Sequence, residues 1–532
     1  VPERRALGLP DEGVDRAGPR PDAPAVLGEP LSLADVVDVA EGRPVALSQS
    51  AVHRMQETRS VVERYLRSGA VVYGITTGFG SLAGVRLAAS QAEELQHGLL
   101  RSHAVGTGDP LGPTEVRAMM ALRAQTLALG HSGVRPALAE AFVELLNRQV
   151  CPVVPEQGSL GASGDLAPLA HLALVVVGEG EAVVDGERVA GHEALRRVGL
   201  APLRLAAKEG LSLINGTQGM TAIGILACHR LRRLLATADV AAAMTTEALL
   251  GTDRAFDPAV VGLRPHPGAG RSALNLTRLL AGSEIVASHR ASLHLVQDAY
   301  SLRCVPQVHG AARDVLDFAE EVLTREVNGA SDNPLVLLEG ADAGEVRSAG
   351  NFHGQPVAVA LDALAVATVG VASMAERRLY RILDPTTSNG LPPFLVQSAG
   401  LNSGFMVLQY TAASLVSEAK GLAHPASVDS IPSSAGQEDH VSMGMIAARH
   451  ARGCVDLAER VVAAEILAAA QGLDLRRPLR PAPATAAVRD RLRQSVPALG
   501  GDRWLAPDLA TATALVRRGD LLEAAQEVVE LT

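Results

Sequence analysis

GSLGASGDLAPLAHLAL, residues 158–174, is the stretch from which the rest of the chain is read. At its centre stand three consecutive small residues, Ala162, Ser163 and Gly164. In a tight bend the Gly164 amide nitrogen can reach the Ala162 carbonyl carbon. Attack, loss of the carbonyl oxygen as water and loss of the Ser163 hydroxyl as a second water leave a five-membered ring with an exocyclic methylene. Gly164 offers no Cβ to obstruct the approach and tolerates unusual backbone angles. Such a ring is an electrophile. Natural side chains supply nucleophiles, acids and bases, and electrophilic chemistry normally needs a metal or cofactor. The same residues carry a plainer reading. Ser163 and Asp165 precede the apolar run 166–177, and with Pro168 near the first turn they would cap a helix. The two readings are compatible, because a helix N-terminus favours developing negative charge.

The composition suits a large helical core. With 532 residues the chain exceeds one usual domain. Hydrophobic residues make up 47% but aromatic ones only 2%, so the core must be built from alanine, valine and leucine, as in close-packed helices. A net charge of −10 disfavours nucleic acid and anionic membrane as main partners. Cys151, Cys228, Cys304 and Cys454 are scattered, which argues against a zinc site or disulfide framework and for a reducing, cytoplasmic compartment. Residues 1–30 are polar and proline-rich, unlike a signal peptide, and read as a disordered or loosely attached leader. Val357–Ala375 is apolar enough to cross a membrane. Asp362 within it is costly in lipid, and its Ala-rich composition suits a helix buried among helices.

The expected fold is mainly α. A smaller mixed N-terminal region, 31–210, carries the glycine-bent loop; a long helical bundle, 211–480, follows; a helical segment, 481–532, ends the chain. Ser32 and Ser48 read as caps of helices reaching Ala40 and Leu66. Helices are predicted over 91–102, 114–129 and 136–150, and near the C-terminus over 507–518 and 520–531. Asp185-Gly186 between two short apolar runs signals a hairpin, and 334–340 is a second strand-like patch.

Further motifs extend the pattern: YGITTGFG (73–80), LRSHAVG (100–106), LINGTQ (213–218), VQDAYSLRC (296–304), SDNPL (331–335), GNFH (350–353), LNSGF (401–405) and HPASVDSIPSSAGQEDHVSM (424–443). Together with 158–171, and in this order, they resemble the ammonia-lyase and aminomutase family whose Ala-Ser-Gly loop matures into 4-methylideneimidazol-5-one (MIO), with histidine ammonia-lyases the nearest members. The resemblance implies that Ala162, Ser163 and Gly164 form the MIO, with no metal or diffusible cofactor. It implies a small amino acid substrate and a homotetramer with active sites shared between subunits. Tyr73 resembles the base; a phenol titrates near pH 10, so it needs cations or dipoles to lower its pKa. Arg303 resembles the residue that grips the substrate carboxylate in a bidentate fork. Asn215, Gln297 and Tyr300 resemble its polar companions, and Phe352 a ring packed on the MIO. Gln297, Tyr300 and Arg303, spaced by three, are predicted to share one helix face.

By the same resemblance His103 and Glu438 address the substrate side chain, and Gln437 is a further substrate-binding residue. At the position of Glu438, histidine lyases have Glu, whereas phenylalanine-type lyases typically have Gln. A buried carboxylate can accept from an imidazole N–H; a phenyl ring would leave it desolvated and unpaired. The reaction so implied is elimination of ammonia from L-histidine to trans-urocanate. The alternatives are tyrosine or phenylalanine lyase or 2,3-aminomutase chemistry, and, outside the class, a non-catalytic helical scaffold. Thr76, Gly98 and Gly436 depart from the histidine-lyase pattern, where Asn is usual at each.

Overall fold

The scarcity of aromatic rings is answered by long helices packed through small side chains. The computed structural model describes residues 23–68, 72, 77, 92–291, 296–339 and 344–532. Tyr73, Thr76 and most of the predicted leader lie outside them. Ala25–Leu27 (β1) lies inside that predicted leader but pairs in parallel with Val45–Leu47 (β2). The carboxamide of Gln125 fixes this strand end, accepting from the Gly28 N–H and donating to the Glu29 carbonyl. Leu27 is fully buried, so the short apolar run Ala25–Leu27 outweighs its proline-rich flanks.

The helices follow the cap and breaker signals. Leu33–Ala40 (α1) opens with a capping box between Ser32 and Asp35. Gln49–Ser68 (α2) follows Ser48, whose hydroxyl accepts from the Ala51 N–H. Ala92–His103 (α3), Pro113–Ala128 (α4) and Pro136–Asn147 (α5) complete the N-terminal region. Two strands, Thr107–Pro110 (β3) and Pro155–Gln157 (β4), pair antiparallel and lead into the Ala-Ser-Gly turn. Leu166–Val176 (α6) leaves it. The hairpin Glu181–Val184 (β5) and Glu187–Ala190 (β6) turns through Asp185 and Gly186, both at positive φ.

The bundle is built on Gln218–Ala248 (α7), Gln355–Leu383 (α8) and Gly444–Leu475 (α9). Ala241–Ala243 of α7 and Ala468–Ala470 of α9 are fully buried, and such small residues permit close helix approach. The membrane-length segment lies in α8, packed most extensively on α9; Asp362 accepts from the Ala426 and Ser427 N–H groups. One hydrophobic cluster runs from Ala25 to Leu531. The C-terminal helices are Ala506–Arg518 (α10) and Asp520–Gln526 (α11), the latter ending before the predicted Leu531.

Two charged networks lock the bundle. Arg378 of α8 makes a bidentate pair with Glu465 of α9 at 2.6 and 2.8 Å, both side chains fully buried. Asp239 of α7 accepts from His309, Arg313 and Asn275. Arg378→Ala should therefore cost about 3–5 kcal/mol, because Glu465 is left buried without its counter-charge, with the Thr245 hydroxyl still donating to it. Chemical denaturation checks this: Arg378→Met with Glu465→Leu should recover most of the loss, and an unchanged midpoint for Arg378→Ala would contradict it.

Candidate active site

The Ala-Ser-Gly turn is bent by neighbouring backbone. Gly158, Gly161 and Gly164 take φ of +128°, +81° and +74°. A Cβ on Gly164 would lie 2.1 Å from the Gly216 carbonyl oxygen, and one on Gly161 2.2 Å from Ser442 Oγ. Only glycine fits at either place. The Asp165 N–H donates to the Gly216 carbonyl at 2.7 Å. Asp165 occupies the N-cap of α6 without a side-chain cap bond. Its carboxylate turns inward, accepting from the Met220 N–H at 2.7 Å and from the Ser159 hydroxyl at 2.9 Å. The cap expected of this Asp is thus replaced by a tie between the turn and the start of α7. Burial pushes the Asp165 carboxyl up to about 6, against those hydrogen bonds.

The remaining motifs converge on this turn. The Ser442 and Met443 amides donate to the Gly161 and Leu160 carbonyls. Cβ atoms on Gly354 and Gly444 would both meet the Met220 sulfur, which brings the segment of Phe352 and the start of α9 alongside. Arg449 and Arg452 of α9 reach back to Glu156 in β4. The Gly106 N–H donates to His171 Nε2 at 3.0 Å, setting the loop of His103 beside α6. Glu438 acts electrostatically on His103, whose pKa burial lowers. His103 Nδ1 is 2.9 Å from the Leu99 carbonyl and so carries the proton in the neutral ring, leaving Nε2 as an acceptor.

Asn215 is buried where the Gly216 turn begins; its Nδ2 donates to the Asn333 carbonyl at 2.9 Å, and its Oδ1 has no partner among the described residues. Beneath it lies a network of Arg123, Lys208 and Asp332, all fully buried. Arg123 donates to the Asn215 carbonyl and to Gln218, and Lys208 to Asp332. Burial alone would raise the Asp332 carboxyl, but the Lys208 and Arg123 charges hold it below its ordinary value.

The predicted set divides into two places. Ala162, Ser163, Gly164, His103, Asn215, Phe352, Gln437 and Glu438 lie at the end of the bundle where α7, α8 and α9 begin. Gln437 is exposed; Ala162, Ser163, His103, Phe352 and Glu438 are half-buried. Tyr300 and Arg303 lie at the opposite end. Arg378, twenty-four residues along from Gly354, donates to the Ser301 carbonyl, a separation of about 35 Å along α8. Likewise, the Thr252 N–H, just past the far end of α7, donates to Asp298. Because Asp298 is drawn to that loop, the helix there covers only Tyr300–Arg303, and Gln297 sits exposed before it. The predicted face shared by three residues reduces to two: Arg303 stacks on the Tyr300 ring at 4.6 Å.

The aromatic amino acid lyase family model matches residues 31–494. The chain belongs to that family. Histidine ammonia-lyase of Sorangium cellulosum is 53% identical over 510 residues, covering 95% of this chain and 99% of the relative. That of Gloeobacter violaceus is 54% identical, covering 93% and 96%. Tyrosine aminomutase of Streptomyces globisporus superposes with a TM-score of 0.91 at 38% identity, covering 96% and 100%. Histidine ammonia-lyase of Trypanosoma cruzi gives 0.88 at 41%, covering 96% of each.

In this lyase the Gly436 departure is explained by its backbone. At φ +83°, Asn is the side chain best tolerated after glycine, and a Cβ there meets nothing within 4 Å, so glycine keeps the turn and removes only an amide. Gly98 is exposed on α3. Residues the sequence did not single out include Met220, Ser442, Arg123 and Lys208. Arg123 is the one charged residue in the buried run Ala118–Ala128 of α4, a signal that it has a buried partner.

Gly164→Ala should abolish activity, since its Cβ cannot coexist with the Gly216 carbonyl; an active Gly164→Ala lyase would contradict the geometry. Asp165 is favoured in the neutral form by folding, so its stabilising contribution is complete below the ordinary 3.8 and is lost as pH rises through about 6. Asp165→Asn should flatten the stability–pH curve across that window; an unchanged curve would contradict the assignment.

Proposed function

We propose that this lyase eliminates ammonia from L-histidine to give trans-urocanate, at active sites each built from two chains. The observation that carries the shared site is the two-ended bundle. One chain holds its Ala-Ser-Gly turn about 35 Å from its own Arg303. Two such rods related by a two-fold axis and laid antiparallel bring opposite ends together twice, giving two equivalent sites. Exposed apolar side chains on the long helices, Val359 and Val366 of α8 and Val407 and Tyr410 in the helix Met406–Leu422, suit that contact. Two such pairs make the homotetramer.

The residues fit an MIO. Cyclisation joins the Gly164 nitrogen to the Ala162 carbonyl carbon and releases two waters, and the left-handed glycines and close backbone neighbours supply the bend. The ring supplies an electrophile for the substrate amine. Arg303 of one chain holds the substrate carboxylate, its guanidinium plane supported by Tyr300. Asn215 offers to the amine its Oδ1, which has no partner among the described residues. Glu438 accepts from the imidazole N–H and His103 Nε2 lies ready as a second acceptor, which favours histidine over phenylalanine or tyrosine. Tyr73 removes the β-proton. The free cysteines, with Cys228 and Cys454 buried, suit the cytoplasm.

Ultraviolet assay of urocanate formation tests the activity: L-histidine should turn over, L-tyrosine should not, and Glu438→Gln should lose about 10- to 100-fold in kcat/KM. Turnover of tyrosine with histidine inert would overturn the substrate. Ser163→Ala and Arg303→Ala should each be inactive alone, yet co-expression should restore about a quarter of the sites. No recovery on co-expression would contradict shared sites.

A further inference from the structure

Glu438 is held by a device with no assigned role. The Ser433 N–H donates to the Glu438 carbonyl at 2.9 Å, and the Glu438 N–H to the Ser433 carbonyl at 3.3 Å. The Ser433 hydroxyl donates to Glu438 Oε2 at 2.6 Å, within the range of a charge-assisted bond. Between these residues the backbone runs left-handed through Ser434, Ala435 and Gly436, at φ 49°, 54° and 83°. Ser434 and Ala435 pay a steric cost there, so the turn persists only because its ends are pinned. Among the described residues, Ser433 is the hydrogen-bond partner of the Glu438 carboxylate.

We propose that Ser433 is the positioning residue for substrate selection. It fixes one carboxylate oxygen of Glu438 so that the other is presented as an acceptor in a single direction. A free glutamate side chain samples many rotamers, and ordering it on binding lowers affinity. The Ser433 clasp removes that ordering step before the substrate arrives. The inference rests on the reading of Glu438 as the imidazole acceptor.

Steady-state kinetics with L-histidine on the purified enzyme test it. Ser433→Ala should raise KM about tenfold with kcat little changed, because a bond to a charged group is lost from binding. Ser433→Thr, which keeps the hydroxyl, should stay within about twofold of wild type. In a Glu438→Ala background, Ser433→Ala should have no further effect, since it acts only through that carboxylate. An unchanged KM for Ser433→Ala, or an undiminished effect in the Glu438→Ala background, would overturn the proposal. So would a fall in kcat that Thr does not rescue. A wild type inert on L-histidine overturns the parent reading and this one together; failure of Ser433 alone leaves histidine turnover in the wild type intact.

Discussion

Gly164 lying against Gly216 is the contact on which the site depends. No side chain separates the two backbones, and any Cβ on Gly164 would enter the Gly216 carbonyl. The bend is therefore imposed by a neighbouring chain segment, to which the loop is tied. Asp165 fastens that segment from one side through Met220. Arg123 fastens it from the other through the Asn215 carbonyl. Three small residues are thus held in a shape that a free peptide would leave.

The long helices serve two purposes at once. Their first turns converge on the bent loop, and the far ends of α7 and α8 lie beside the short helix that carries Tyr300 and Arg303. Arg378 links both purposes: it pairs with Glu465 to hold α8 on α9, and its remaining arm reaches the Ser301 carbonyl in the short helix that carries Arg303. A rod-like bundle cannot fold its ends together, so the site proposed above takes its second end from another copy of the chain. On that proposal, assembly is a condition of activity.

Much of the candidate site is legible in the sequence because its motifs are local. The Ala-Ser-Gly triplet, Glu438 and Asn215 can be named from motifs, and the caps at Ser32 and Ser48 from nearest neighbours. Other features depend on distant partners. Nothing around Ala25–Leu27 announces that Gln125 will hold it. The inward turn of Asp165 needs Met220, and the short helix at Tyr300 follows from Thr252 capturing Asp298. Spacing by three described Gln297, Tyr300 and Arg303 as one face because spacing carries no information about where a helix begins. The separation of Arg303 from Gly164 within one chain is a property of the bundle, invisible to motif order.

The most direct test of the bent loop is the mass of the proteolytic peptide spanning residues 158–171, taken from active, freshly purified enzyme. The peptide should be lighter than its sequence by two waters, with the loss confined by fragmentation to Ala162–Gly164. A peptide of full sequence mass from enzyme that eliminates ammonia would contradict the electrophilic ring and the chemistry built on it.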